Sequence, residues 1–323
     1  MEPPIVNKDG LFTKSYKDNV KGTSLEPLYA TVQIAESAVT PMHSPAPFSS
    51  GHLILCPNMS ENKTQKLDSG AVKVALMLIN DSVYDEHLKI GFNGWGGWAS
   101  QNQLHLQTFF YETPDSHLPI ALPVESFKAK EISRVQGITI SELLDYPVLG
   151  FVFLGNDIAA LTTKVIAAVR IMQDTVVRIL PNTKGINHNL LFTKNSDGSL
   201  AVYLFPRKYE ERNVDNGVGV AFLELSGELI MSDKKYFDNL KERDDLAIDQ
   251  EVMRELEKVS LDERQFEELK QKVVNENYLD GGVDLGKGIN LGDLNFEPAA
   301  AQNILYALKV LEDSNRFIEE VQP

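Results

Sequence analysis

Cysteine is nearly absent. One residue, Cys56, is too few for an internal disulfide, and no Cys/His set is spaced for structural zinc, so neither a disulfide scaffold nor a metal or other cofactor is expected. Positive charge is also short: 31 Lys and Arg stand against 46 Asp and Glu, a formal net charge of −15 over 323 residues. A polymer of phosphates is held by clustered cations, so nucleic acid is not an expected partner. A small anion, held by backbone N–H groups and one or two cations, remains compatible with that balance. No apolar run approaches the ~18 residues of a spanning helix, and the first residues, "MEPPIVNKDG", lack a basic stretch followed by an apolar core. No membrane partner is expected, the cytosol is the expected setting, and the sequons at Asn58, Asn62 and Asn80 read as chance matches.

What is present is enough apolar material, 43% of residues, for a large core. Residues 1–27 are polar, contain proline and show little period, and read as a peripheral arm. In a first block, 28–146, "LYATVQIA" reads as a strand, "TPMHSPAPFSS" as a proline-rich turn and "GHLILCPN" as a short strand. "SGAVKVALMLIND" reads as a buried helix, and "HLKIGFN" and "LHLQTFFYE" as further strands. A second block, 147–240, has a similar order. The strand "YPVLGFVFLG" precedes a helix with Ile158, Leu161, Val165, Val169 and Met172 on one face after an Asn156 or Asp157 cap; a hairpin turns at Ser-Asp-Gly, and "VGVAFLELSGELIM" reads as a strand. The two blocks suggest a diverged duplication. The segment 241–323 is charged; Ser260 and Glu263 form a capping-box pattern before Phe266, Leu269 and Val273, and a last helix is expected near 298–321.

The chemistry-bearing stretch is "NGWGGWASQNQLHLQTFFY", residues 93–111. In a strand, alternate residues share a face, so Gln103, His105 and Gln107 line one side while Leu104 and Leu106 enter the core. A polar row of this kind suits the floor of a ligand cleft, and Gly94, Gly96 and Gly97 before it suit a turn that brings backbone close to a phosphate. Trp95 and Trp98 read as residues packing on their own domain, as a wall of that cleft or as a platform for a base, His188 as a turn residue, and His43, His87 and His117 as surface positions.

This stretch resembles the active-site segment of the GDP-hexose phosphorylases, the GDP-L-galactose and GDP-D-glucose phosphorylases of the histidine triad (HIT) superfamily. Asn93, Ser100, Asn102, His105 and Gln107 fall on motif positions, and Gln103 stands where the family has its first histidine. "APFSSGHLILCP", "INHNLLFT", "VYLFPRK", "GVGVAFLELSGELIM" and "VSLDERQFEELKQ" are similar to family segments in the same order. The resemblance implies an α+β fold: a HIT-like antiparallel sheet with flanking helices, in two HIT-like halves, plus C-terminal helices.

It also implies a transfer in which His105 takes a guanylyl group from a GDP-hexose and inorganic phosphate removes it. Neutral imidazole suits that role because its lone pair is free at neutral pH. On this resemblance the residues 97–100, with Gly97 and the Ser100 hydroxyl, hold the α-phosphate, Gln107 donates to a phosphoryl oxygen, and Asn93 fixes the loop or touches the phosphate. Asn102 keeps its motif place, and Arg207 and Lys208 meet the incoming phosphate or the hexose phosphate. His52 is either a second support of the site or a strand-end histidine. Because Gln103 cannot carry a proton, a nucleotide-sugar binder without turnover stands beside the phosphorylase reading, as does a nucleotide hydrolase.

Overall fold

The computed structural model describes residues 5–6, 13–16, 31–44, 47–49, 52–81, 87–111, 121–179, 188–208, 219–231, 235, 238–239 and 245–275. Two short strands, β1 (Ile5–Val6) and β2 (Thr13–Tyr16), come first in the chain. They are followed by β3 (Val32–Ile34), β4 (Ser37–His43), β5 (Leu53–Pro57), helix α1 (Ser69–Asp81), β6 (Leu88–Asn93) and β7 (Leu106–Phe110). Next come β8 (Ala129–Val135), β9 (Ile138–Leu143), β10 (Phe151–Gly155), helix α2 (Ile158–Ile179), β11 (His188–Lys194) and β12 (Leu200–Pro206). A helical turn α3 (Phe222–Leu225), β13 (Glu228–Met231) and helices α4 (Asp245–Val259) and α5 (Glu263–Val274) complete the described elements.

The strands β3 to β12 form one 10-stranded antiparallel sheet in the order β3-β4-β5-β7-β6-β11-β12-β10-β9-β8. That order contains the same path twice. In each run the helix follows the third strand and the fifth strand lies between the third and the fourth; the two fourth strands, β6 and β11, then pair antiparallel at the centre through Asn93↔Asn189 and Phe92↔Leu190. The sheet is therefore a pseudo-two-fold built around β6 and β11.

Period-2 alternation assigns the two faces. Leu88, Ile90 and Phe92 of β6, Leu106 of β7 and Leu190 and Phe192 of β11 pack against Val72, Leu76 and Ile79 of α1 and Leu161, Val165 and Met172 of α2. Both helices start at an aspartate that accepts an exposed N–H, Asp68 from Ala71 at 2.8 Å and Asp157 from Ala160 at 2.9 Å. The opposite face carries Phe109, Leu191, Tyr203 and Phe205 under Phe222 and Leu225 of α3 and Val252 and Leu256 of α4. The polar residues of the His105 segment belong to this second face. Among the described residues no helix is long and apolar enough to cross a membrane.

Four local expectations are corrected. The "proline-rich turn" begins as strand: Pro41 pairs with Leu55 inside β4. The ladder to β3 ends at Val32↔Val39, so among the described residues the missing N–H of Pro41 forfeits no ladder bond. "VGVAFLELSGELIM" is a helical turn before a strand, because the Glu224 carboxylate accepts from Ala221 N at 2.8 Å and Gly227 takes φ 97° to leave the turn. The last described helix is capped by Asp262 with Gln265 rather than by Ser260, which bridges to Arg207. Within the expected N-terminal arm, β2 pairs in parallel with β13. The expected helix near 298–321 lies outside the described residues.

Candidate active site

His105 sits immediately before β7, between Leu104 and Leu106, both fully buried on the helix face. The imidazole is itself only 4% exposed. Its Nδ1 lies 2.7 Å from the main-chain oxygen of Gln103. A carbonyl oxygen can only accept, so Nδ1 carries the proton and the lone pair is on Nε2. Burial holds the pKa of the ring below its ordinary 6.5, against a smaller opposing effect of the Gln103 carbonyl. The ring is thus neutral, in one tautomer, with a single nucleophilic nitrogen.

The strands beside it part at this point. β6 and β7 pair from Leu88↔Phe110 to Gly91↔Gln107. The next partners in that register on the same face are Asn93 and His105, and the side chain of Gln65 stands in their seam. Its Nε2 donates to Asn93 O at 2.8 Å and to His105 O at 3.1 Å, and its Oε1 accepts from His105 N at 2.9 Å. Gln65 is fully buried and replaces the missing ladder bonds. The loop carrying it is tied down in turn: Leu104 N donates to Lys63 O at 2.8 Å and Gln65 N to Asn102 Oδ1 at 3.1 Å.

On the other side of the seam a buried network shapes the glycine loop. Asn93 Oδ1 accepts from Asn189 Nδ2 and from Phe222 N, the latter at 2.9 Å. Asn189 Nδ2 also donates to Gly97 O at 2.7 Å, and Asn189 Oδ1 accepts from Arg207 Nη1 at 3.3 Å. The loop closes on itself through Gly97 N to Gly94 O at 2.8 Å, with Gly96 at φ 90°. A Cβ at Gly97 would stand 2.8 Å from His188 O, so only glycine lets the turn lie this close to β11.

The structure brings Asn93, Gly97, Gln103, His105 and Gln107 to one end of β6 and β7. Gln107 is half-buried, flanked across the ladders by Ile54 and Gly91. The side-chain nitrogen of Gln103 is buried without an acceptor among the described residues. Ser100 and Asn102 are exposed on the connecting loop. His52 lies on the same face at the start of the neighbouring strand β5, across from Phe109 in the β5–β7 register, its Nδ1 accepting from Phe48 N at 3.3 Å. Arg207 is fully buried; Nη1 also donates to Val220 O, which sets the guanidinium behind the Asn93–Asn189 pair. Lys208 is half-buried, and its main-chain N–H is donated to Val259 O at 2.6 Å. Trp98 packs against Gly219, whereas Trp95 is 42% exposed at the loop tip. His188, expected as a turn residue, is fully buried at the start of β11; His43 and His87 are exposed, and His117 lies outside the described residues.

Sequence reasoning passed over Gln65 and Asn189. Both act by long-range bonds from side chain to backbone or amide, which leave no periodic trace; an uncharged amide inside otherwise apolar strand "HNLLFT" was the available signal for Asn189. A cavity of about 410 Å³ lies on the same face at the opposite end of the central strands, lined by Lys89, Glu125, Val152 and Tyr203 among others, and not at His105. Among the described residues no His, Cys, Asp and Glu cluster is placed to hold a metal ion.

Comparison with known proteins agrees with this architecture. Yeast Ap4A phosphorylase Apa2 in complex with Ap4A superposes with a TM-score of 0.54 over 80% of this chain and 88% of that chain, at 15% identity, which shows a shared HIT-like fold. GDP-L-galactose phosphorylase 2 of Arabidopsis thaliana is 25% identical over 236 residues, 69% of this chain and 48% of that protein. GDP-D-glucose phosphorylase 1 of Homo sapiens is 27% identical over 212 residues, 64% of this chain and 52% of that protein. The chain thus spans about half the length of the curated relatives it matches. The family model "GDPGP1-like, N-terminal domain" matches residues 30–109, and "GDPGP1-like, C-terminal domain" matches residues 123–278. With both models matched in order across most of its length, the chain belongs to the GDPGP1-like family.

Proposed function

We propose that this protein is a GDP-hexose phosphorylase, acting on GDP-L-galactose or GDP-D-glucose as the named relatives do. The observation that carries the reading is the 2.7 Å bond from His105 Nδ1–H to Gln103 O, which leaves Nε2 as the one basic nitrogen of a neutral ring. Nε2 attacks the α-phosphorus of the GDP-hexose; the bond from that phosphorus to the bridging oxygen breaks, and hexose 1-phosphate leaves with the electron pair. Inorganic phosphate then attacks the GMP-histidine, the P–N bond breaks, and GDP departs as His105 regains its lone pair.

Neither step needs a proton from the side chain at position 103. The leaving group is a phosphate ester that is stable as an anion, and the incoming phosphate brings its own anionic oxygen. Gln103 replaces a histidine without removing an obligatory acid, and its buried, unaccepted Nε2 is a donor suited to a phosphoryl oxygen. Asn93 contributes its amide side chain and the loop 94–100 its N–H groups, with Ser100 and Gln107 completing the donors. Arg207 stabilises this arrangement from behind through Asn189, and Gln65 fixes the backbone of His105.

The test is to incubate the protein with GDP-L-galactose or GDP-D-glucose and phosphate. GDP and hexose 1-phosphate appear with the wild type and not with His105→Asn. No GDP from either substrate, or equal activity in His105→Asn, overturns the proposal; GMP formed without phosphate would instead identify a hydrolase.

A further inference from the structure

Two carboxamides behind His105 have only one orientation open to them. Asn189 of β11 is fully buried and lies opposite Asn93 of β6 in the central register. The Arg207 guanidinium can only donate, so the Asn189 atom that meets Nη1 at 3.3 Å is Oδ1. The Gly97 carbonyl can only accept, so the Asn189 atom 2.7 Å from it is Nδ2. The second N–H of that nitrogen goes to Asn93 Oδ1.

The same constraint passes on to Asn93. Its Oδ1 accepts from Asn189 Nδ2 and from Phe222 N at 2.9 Å, which occupies both lone pairs. Turning the carboxamide over would set N–H against N–H at both contacts. The group left over is Asn93 Nδ2, which has no partner among the described residues and is not one of the enclosed polar atoms, so it reaches solvent. Asn93 stands on the face of His105, one register step beyond Gly91↔Gln107. The hydrogen bonds therefore run head to tail from Arg207 through Asn189 to Asn93, and the buried cation polarises the amide at the end of the chain.

We propose that Asn189 is a positioning residue of the reaction at His105: it locks the Asn93 carboxamide with Nδ2 turned to the phosphoryl oxygen that Nε2 attacks. The inference rests on the functional reading above. It gives the run of strands that lacks His105 a part in the chemistry of the run that has it. The glycine loop is held without Asn189, through Gly94 N to His188 O at 3.0 Å and Gly97 N to Gly94 O at 2.8 Å, so the orientation of Asn93 is what Asn189 chiefly sets.

A double-mutant cycle on the full chain tests this. Asn189→Asp keeps the shape of the side chain and meets Arg207 as an ion pair, but it has no N–H to give. Asn93 then turns its own Nδ2 inward and leaves Oδ1 towards the phosphoryl oxygen, so kcat for GDP formation should fall about 10- to 100-fold with little change in KM. Asn93→Ala should lower kcat on the same scale. Adding Asn189→Asp to it should change kcat by no more than about twofold, because the group it acts through is gone; a residue that only supports the fold would multiply the two losses. If Asn189→Asp does not fold, the wild type gives the second readout: the side-chain amide signal of Asn93 in nitrogen-15 spectra, identified by its loss in Asn93→Ala, should shift on adding GDP.

Unchanged kcat in Asn189→Asp, losses that multiply in the double variant, or an Asn93 amide signal unmoved in the GDP-bound protein overturns the inference and leaves the phosphorylase reading intact. A shifted signal in a protein that turns over no GDP-hexose supports the orientation of Asn93 and overturns that reading instead. No uptake of GDP by the wild type overturns both.

Discussion

Nδ1 of His105 is bonded to the main-chain oxygen of Gln103, not to the Gln103 side chain. The tautomer of the proposed nucleophile is therefore set by backbone, and any residue at 103 that keeps the backbone path keeps it. Gln103→Leu should leave the pH dependence of turnover where it is. It should lower kcat by about 10- to 100-fold, the value of one hydrogen bond to a charged phosphoryl oxygen. Steady-state GDP formation across pH measures both; a shift of the acid limb would mean that the Gln103 amide, not the carbonyl, governs the ring.

Burial places the pKa of His105 below its ordinary 6.5. Protonation removes the Nε2 lone pair, so activity is lost as pH falls through the pKa of the folded protein, and a lowered pKa moves that loss to more acidic pH. The acid limb of kcat/KM, which reports the free enzyme, should have its midpoint below 6.5. A midpoint above 6.5 assignable to His105 would contradict the buried, desolvated ring.

Gln65 tests how far the geometry of the seam matters. Gln65→Leu is close in size but leaves the oxygens of Asn93 and His105 and the N–H of His105 without their partner. Each uncompensated buried group costs about 1–3 kcal/mol, so the melting temperature should fall. If the side chain also aims His105, kcat should drop about 100-fold, the scale of an ångström's misplacement, while KM changes little. A variant that melts earlier with unaltered kcat would reduce Gln65 to a structural strut.

How much of this was legible in the sequence depends on the range of the forces involved. Helix α1 over Ser69–Asp81 and the cap at Asp157 follow from local period and local hydrogen bonding, and both are written in adjacent residues. The alternation Leu104, His105, Leu106 showed which side chains enter the core for the same reason. Pro41 in β4 was misleading because its tolerance depends on where the ladder of a neighbouring strand stops. The hairpin of β8 and β9 went unrecognised although Gln136 and Gly137, at φ 52° and 78°, form the two-residue turn that joins them. Gln65 was out of reach: it acts on residues 28 and 40 positions away, and no local pattern announces such a bond. The cavity belongs to the same class, since its lining is drawn from β6, β10, β12 and the turn Pro123–Ser126, segments far apart in the sequence.

His188 makes a prediction about stability rather than turnover. The ring is fully buried, stacked on Phe92 with centroids 5.6 Å apart, and neither nitrogen has a partner among the described residues. Desolvation lowers its pKa from 6.5 to about 3. Below pH 6.5 the unfolded chain binds a proton at this residue that the folded chain refuses, so the contribution of His188 to stability falls as pH drops from 6.5 towards 3 and levels off below that. The slope is at most about 1.4 kcal/mol per pH unit for one group. His188→Phe keeps an aromatic ring against Phe92 and has nothing to protonate. Urea unfolding should show the variant gaining on the wild type as the buffer is taken from neutrality to about pH 5, with the difference following that slope. Parallel loss of stability in both proteins would show that His188 takes up its proton in the folded state after all.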